Sequence, residues 1–582
     1  MKKEHKLKGD TLFKILKLVY GLFPLEAISR DILFVIIIAL EMYGITLGGL
    51  FIDAIADFIT NTQTFTFDGF FYSNAFYYTA LSLGVWMLVS SLNSLRNYLY
   101  DILAQKVKFH MQSARLEVIA RSNLEDVERK DFRDLLEFIP TFSYENILAA
   151  YAGFSDAIKW SVRGVASIGF LFSTLGWSAL LLILFAIPEN IVAHYNRRKR
   201  HKYNSSEVER LKKVSYLETI ITRLPYFPEL RVDNAIKYLK NTYSTEGGKY
   251  MGGILELTKH FYIDTTLFTQ LGRLFLVGYV VYILVVSVTL KLTIGHFKAL
   301  YDYAVTAYES FNSLVSTLLK MYTFLDYSEP YFKFTEYKGF GDVKNGEHII
   351  DGDTPALELK DLTYIHKDSG KRALNDITLK IPAGSNIAIV GSDGSGKSTF
   401  VRILCGLYQI VDGDYIIGGK SIKELARGEL KKRISVVFQE FVNYNLSLKE
   451  NITLTAEEKR VKTKLYEKIL KISGVKEMME KEGLTDSQIL GKYFSKGREI
   501  SPGYWQRLAI ARALYRNRDI YIMDEPFLYI DEKSRGKILR DVMNHLGSGR
   551  TLIYVTQEED FLDLFDQVYD LRNGKLYPRE KK

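Results

Sequence analysis

The residues best equipped for chemistry lie in the second half of the 582-residue chain. Gly391-Ser392-Asp393-Gly394-Ser395-Gly396-Lys397-Ser398-Thr399 stands between an apolar strand, Ser385 to Val390, and an apolar helix, Phe400 to Leu407. This is the G-x-x-x-x-G-K-[ST] loop in its required strand–loop–helix setting. Its glycines let successive backbone N–H groups turn toward one anion, and the helix N-terminus adds partial positive charge. Lys397 is expected to neutralise β- and γ-phosphates and Ser398 to ligate Mg²⁺. Further on, Ile520-Tyr521-Ile522-Met523 is an apolar strand that ends in Asp524 and Glu525. A carboxylate at such a strand end can hold the metal shell, and the next can orient and deprotonate water.

These elements occupy one half of a chain whose charge is unevenly spread. Lys and Arg exceed Asp and Glu by 77 to 68, a formal charge of +9, and charged residues make up 25%. The aromatic content of 13% and the mere 11 prolines exclude a disordered protein, and the single Cys405 excludes a disulfide scaffold. Gly69 to Leu95 and Gly164 to Pro188 carry no charge, and Ile32 to Ile52 carries only Glu41. A helix needs about 20 mostly apolar residues to cross a bilayer. Six spans are expected, at about 28–54, 70–97, 147–173, 176–197, 260–290 and 292–325. The sixth carries Lys298, Asp302 and Glu309; the two acids lie seven residues apart and share a helix face, so they need not meet lipid. No cleaved signal is expected, and the basic N-terminus reads as a cytoplasmic amphipathic segment, Thr11 to Leu25, before the first span.

Orientation follows from the basic residues. The stretch 53–68 has three Asp and no Lys or Arg, which puts it outside; Arg197 to Lys202 is basic, which puts it inside with the N-terminus. The connections 98–146 and 198–259 are charged and helix-prone. They read as two helical hairpins reaching into the cytoplasm, with tips near Asp126 to Glu137 and Pro225 to Ala235. The expected fold is thus an α-helical polytopic membrane domain, residues 1–335, a Gly- and Asp-rich linker, 336–355, and an α/β P-loop cassette, 356–582. Localisation is expected in the cell membrane, with the N-terminus and cassette cytoplasmic.

Between the phosphate loop and the acid pair lies Ile500-Ser501-Pro502-Gly503-Tyr504-Trp505-Gln506-Arg507, running into a helix. With Gln439 in Val437-Phe438-Gln439-Glu440 and Leu528 to Asp531 after the acids, the chain resembles an ATP-binding cassette (ABC) transporter of the exporter half-transporter type. The resemblance implies ATP and Mg²⁺ as cofactors and a second half-transporter as partner. It implies ATP contacts from Gly391 to Thr399, and metal contacts from Ser398, Gln439 and Asp524. Glu525 would be the hydrolytic base beside Lys397, and Ser501 to Tyr504 would serve the ATP held by the opposite subunit.

Three positions depart from that family's pattern. The signature reads Ile500-Ser501-Pro502-Gly503-Tyr504 instead of Leu-Ser-Gly-Gly-Gln. Pro502 has no N–H to offer a phosphate. Gln557 stands where a switch histidine is usual, and an amide cannot titrate or carry positive charge. The adenine-stacking aromatic falls at His366, with Tyr364 two residues before it. The hydrolytic pair Lys397 and Glu525 is retained, so slow or asymmetric turnover is expected.

Leu116 to Leu136, with Leu124-Glu125-Asp126 and Asp131-Phe132, resembles the first coupling loop of bacterial exporters of peptide natural products such as lantibiotics; so does the Trp505-Gln506 pair. No cysteine-peptidase segment is expected before the first span. Two readings stay open: an exporter of a peptide or other amphipathic molecule, with lipid, siderophore or drug cargo as variants, and a regulatory ATPase subunit gating a partner. Homodimer and heterodimer both stay open. Membrane lipid is an expected partner and nucleic acid is not. The intramembrane acids Glu41, Asp302 and Glu309 are candidates for a substrate cavity.

Overall fold

The computed structural model describes residues 2–61, 67–337, 346–350, 352–366, 370–426, 428–454 and 461–580. Of the expected linker, residues 338–345 and 351 lie outside the described residues. The chain divides into two compact units, one of residues 1–118 and 134–337, the other of residues 119–133 and 338–582.

The first unit is helical. Among the described residues four stretches are long and apolar enough to cross a membrane: Pro24–Asn61, Asn74–Arg121, Tyr144–Asn204 and Ala235–Thr289. The third holds two helices, Tyr144–Leu175 and Leu181–Ser206, separated by a turn that begins at Gly176 with φ +59°. Both the third and fourth expected spans fall there. The expected sixth span is a continuous helix, Ile294–Thr335, but it is not among the four apolar stretches. The expected amphipathic segment is part of a longer helix, Lys2–Leu22, that packs within this unit. Its apolar stripe, Ile15 and Val19 above Thr11, is buried. Lys14 meets Glu336 at 2.6 Å, and Tyr20 donates to Asp31.

Close helix crossing is made by small residues. A Cβ added to Gly295 would collide with the carbonyl oxygen of Gly49 and the carboxylate of Asp53. Asp53, one of the three acids of the 53–68 stretch, caps the helix that begins at Ile294. It accepts from the Gly295 N–H at 2.7 Å and the Thr293 hydroxyl at 2.7 Å. One carboxylate thus fixes an orphan N–H at a helix start while the glycines let two backbones touch.

The acids nominated for a substrate cavity are partnered or exposed. Glu41 lies 3.9 Å from Lys159 and 3.6 Å from Arg163, so its charge is already answered by two cations of the third expected span. Asp302 pairs with Lys298 one turn earlier, and Glu309 is exposed. Among the described residues no hydrogen bond or ion pair joins the three. A different polar cluster is present: Glu189 accepts from Thr269 at 2.8 Å, Tyr308 at 3.4 Å and Asn312 at 3.3 Å, tying three long helices together.

The second unit is α/β. Its strands are β1 (Leu357–Ile365), β2 (Arg372–Ile381), β3 (Asn386–Val390), β4 (Asp412–Ile417), β5 (Lys420–Ser421), β6 (Ile434–Val437), β7 (Ile520–Asp524), β8 (Thr551–Thr556), β9 (Gln567–Arg572) and β10 (Lys575–Arg579). One sheet, in the order β2-β1-β4-β5, is antiparallel; the other runs β10-β9-β3-β8-β7-β6 and is parallel from β9 to β6. Every residue of β7 and β8 is buried. That is why they read as unbroken apolar runs: a parallel sheet is covered on both faces. Apolar clusters lie on either side, one with Trp505, Leu508 and Leu539, the other with Phe400, Leu404 and Tyr415.

Residues 119–133 belong to this unit, with a short helix Leu124–Glu128. Glu125 accepts from the Tyr364 hydroxyl at 3.1 Å and the Gln409 N–H at 2.9 Å, and Glu128 from the Tyr408 hydroxyl at 3.0 Å. Tyr364 and Tyr408 stack with centroids 5.0 Å apart.

The Gly49–Gly295 crossing generates a prediction. Gly295→Ala should destabilise the helical unit by about 1–3 kcal/mol, the usual cost of overpacking. Gly278→Ala, where no atom lies within 4 Å of the added methyl, is the control. The readout is the heat-resistant folded fraction of detergent-purified protein; equal losses in the two variants would contradict the close approach.

Candidate functional site

In a parallel sheet the strands' carboxyl ends share one edge, and ligands bind there. β3, β6, β7 and β8 deliver Gly391, Gln439, Glu525 and Gln557 just past their ends. The phosphate loop needs left-handed backbone at Gly394 (φ +74°) and Gly396 (φ +111°). At Gly396 a Cβ would also stand 2.7 Å from the Ala373 carbonyl oxygen, so only glycine fits. Lys397 opens the helix Lys397–Leu404, and its ammonium donates back to the carbonyls of Gly391 at 2.8 Å and Ser392 at 3.1 Å.

Glu525 sits at φ +46°, a strained position for a carboxylate residue. Its N–H donates to the Val555 carbonyl at 2.8 Å, and its carbonyl accepts from the Gln506 amide at 3.1 Å. Gln506, buried in the helix Pro502–Tyr515, also accepts from the Tyr529 N–H at 2.7 Å. The Glu525 side chain is 9% exposed and fully engaged. One oxygen accepts from Gln439 at 2.8 Å, the other from Gln557 at 2.7 Å, and Lys397 stands 3.6 Å away. Gln557 donates to Asp393 as well, at 2.6 Å.

Asp524 is different. It is buried, and its Oδ1 has no hydrogen-bond partner. Burial, and then the neighbouring Glu525 charge, push its carboxyl up to about 6. An orphan buried carboxylate oxygen is a donor that suits a hard divalent cation.

A cavity of about 470 Å³ opens at this edge. Gly394, Gly396, Lys397, Ser398, Thr399, Asp393, Gln439 and Glu525 line it, as does His366, whose Nε2 is 3.5 Å from the Thr399 hydroxyl. Gly391, Ser392 and Ser395 complete the loop behind it. Tyr364 does not line it: its ring is spent on Tyr408 and its hydroxyl on Glu125, which corrects its nomination as an ATP contact. Ser501, Pro502, Gly503 and Tyr504 do not line it either. Ser501 and Pro502 are exposed at the start of their helix, where Pro502 takes the first helical position, one that needs no N–H bond.

Sequence reasoning missed five lining residues, Lys371, Arg372, Ala373, Asn573 and Gly574. The last two had a legible signal: Asn-Gly between two alternating strands, here with φ +49° and +76°, is a two-residue hairpin turn. The Gly574 N–H donates to the Ser395 carbonyl at 3.0 Å and so buttresses the phosphate loop.

Residues 374–528 match the family described as ABC transporter. The subtilin transport ATP-binding protein SpaT of Bacillus subtilis is 24% identical over 458 residues, 78% of this chain and 74% of that one. The nisin transport ATP-binding protein NisT of Lactococcus lactis subsp. lactis is 23% identical over 501 residues, 84% of this chain and 82% of that one. A solved bacterial Atm1-family ABC exporter with ATP bound superposes with a TM-score of 0.78 at 17% identity, covering 96% of this chain and 95% of that one. The chain thus carries an ABC transporter domain and is similar along most of its length to ABC exporter half-transporters. The domain and the long apolar helices together make it a multi-pass membrane protein that binds ATP and couples its hydrolysis to transport.

The buried Asp524 gives a pH prediction. A carboxyl raised in the folded state costs stability above its folded value and is relieved as pH falls through it. Asp524→Asn should therefore stabilise the metal- and nucleotide-free protein by about 1–3 kcal/mol at pH 7.5. The gain should shrink by pH 5, below the value of about 6. Thermal unfolding at the two pH values checks it; a destabilised variant at pH 7.5 would contradict the assignment.

Proposed function

We propose that the chain exports a peptide or another amphipathic molecule, working as half of a dimer with its cassette and N-terminus on the cytoplasmic side. The observation that carries the dimer is the composition of the cavity. It holds the phosphate loop and the acid pair's Glu525, with Gln557 bonded to both, yet none of Ser501 to Tyr504. A second cassette would supply that segment to the phosphates. The peptide reading rests on where the relatives match. Similarity to the subtilin and nisin transport proteins runs over 78% and 84% of this chain, membrane helices included. The ATP-dependent lipid A-core flippase of Hahella chejuensis is 30% identical, but over 40% of the chain.

In this reading the loop N–H groups and Lys397 hold the phosphates, and His366 faces the base. Mg²⁺ would be held by Ser398 and Asp524, with Gln439 turning toward it from Glu525, and would draw charge off the phosphates. Glu525 takes the proton of the attacking water. Buried as it is, its carboxylate is solvated by two amides and faced by an ammonium. Gln557 donates to the phosphate without contributing charge.

Lys397→Ala should lose ATP binding, whereas Glu525→Gln should bind ATP and stop turning over. Hydrolysis by Glu525→Gln at the parent rate would remove Glu525 from the base role. Specific activity should rise with protein concentration through the dimerisation range. Concentration-independent activity of monomer would sink the two-cassette site. Activity of this chain alone, reconstituted in lipid, separates the exporter homodimer from a subunit that needs a different partner. Stimulation by a cationic amphipathic peptide tests the cargo class.

A further inference from the structure

We propose that Asp393 is a positioning residue matched to Gln557: it holds the Gln557 amide against Glu525, and this site turns over with an amide at 557 because an acid occupies the phosphate loop. The inference deepens the reading of Glu525 as the base and rests on it.

The geometry fixes the orientation of the amide. A single nitrogen, Nε2 of Gln557, lies 2.6 Å from Asp393 Oδ1 and 2.7 Å from Glu525 Oε1. Both acceptors are carboxylate oxygens, so the group facing them is the NH₂ and not the carbonyl oxygen. Its two protons are each used once. The bridge spans the phosphate loop and the end of β7, across the cavity's phosphate end. A γ-phosphate can be met by Gln557 only after one carboxylate is released. Release from Asp393 leaves the amide on Glu525 and free to reach the phosphate; Asp393 therefore sets where the amide waits.

The same geometry explains why a histidine would serve badly here. The charged groups around position 557 are Asp393 and Glu525 on the bridge, Lys397 at 3.6 Å from Glu525, the buried Asp524, and Glu558, which pairs with Arg535. An imidazole set between Asp393 and Glu525 would be held as a cation by two acids, and charge-assisted bonds of that kind are roughly twice as strong as neutral ones. It would stay on the carboxylates instead of turning to the phosphate, and it would mask the base. With Asn at 393 one of those acids is gone and the imidazole is released. Gln557 is therefore the partner suited to Asp393, and its departure from the family pattern is compensated within the loop.

The test is a double-mutant cycle on the full-length chain in lipid: parent, Asp393→Asn, Gln557→His, and both together. Steady-state ATPase and ATP affinity are read on the same samples. Gln557→His alone should slow turnover by about tenfold or more, and the double variant should recover at least the parent rate, a coupling in the range seen for contacting residues. ATP binding by each variant shows that its cassette is folded. If Gln557→His loses ATP binding, recovery of binding in the double variant supports the proposal equally, and no recovery overturns it. Additive effects, or a faster single Gln557→His variant, also overturn it. Glu525→Gln in the parent and double backgrounds separates the two readings. Turnover surviving there removes the base assignment, while coupling between 393 and 557 in ATP affinity would still be measured.

Discussion

The nucleotide site depends on giving one buried carboxylate its polar partners from within the protein. Glu525 is shielded from water, so its ionised form must be solvated by the protein. It is given two amide N–H groups and one ammonium at a longer distance. The adjacent Asp524 has an unpartnered Oδ1, and burial and then the Glu525 charge push its carboxyl up to about 6. Two neighbouring acids on one strand end thus have different surroundings, one bonded by amides and one with an open oxygen.

That arrangement dictates the local fold. The residues that solvate Glu525 come from the ends of different strands and can meet only on the carboxyl edge of a parallel sheet. The backbone of Glu525 is held left-handed by bonds to Val555 and Gln506, so the strain is met by a neighbouring strand and by the signature helix. Through Gln506 and Tyr529 the helix that begins at Pro502 is fastened to the same peptide. The segment that would face a second nucleotide and the acid of the first are consequently one rigid piece.

Much of this was legible in the residues. The phosphate loop and the acid pair have fixed spacing because backbone geometry fixes it, and the strands around them are buried on both faces and so read as apolar runs. The Gly-Lys-Ser/Thr register leaves little freedom for where Lys397 can be. What spacing could not show was partnership. Glu41 stands out as an acid in an apolar run, yet Lys159 and Arg163 arrive from another helix to answer it. Tyr364 sits two residues from His366, but the tip segment 119–133 claims its hydroxyl, and nothing local to the strand announces that. Likewise Gln557 reads as a lost histidine until Asp393, 164 positions away, is found on the same nitrogen. The helix Ile294–Thr335 does not read as an apolar run for a related reason: buried Tyr303, Tyr308 and Ser310 and the Asp53 cap suit it to protein contacts.

If the amide bridge between Asp393 and Glu525 is the resting form of the site, it must open for nucleotide. A structure of the same chain with ATP and Mg²⁺ bound is the sharpest test of that opening. The Gln557 amide is expected to have left Asp393, to remain on Glu525 and to donate to the γ-phosphate, with Asp524 Oδ1 turned to the metal. ATP seated in the cavity with the Asp393–Gln557–Glu525 bridge still closed would show that the bridge is not a resting form at all.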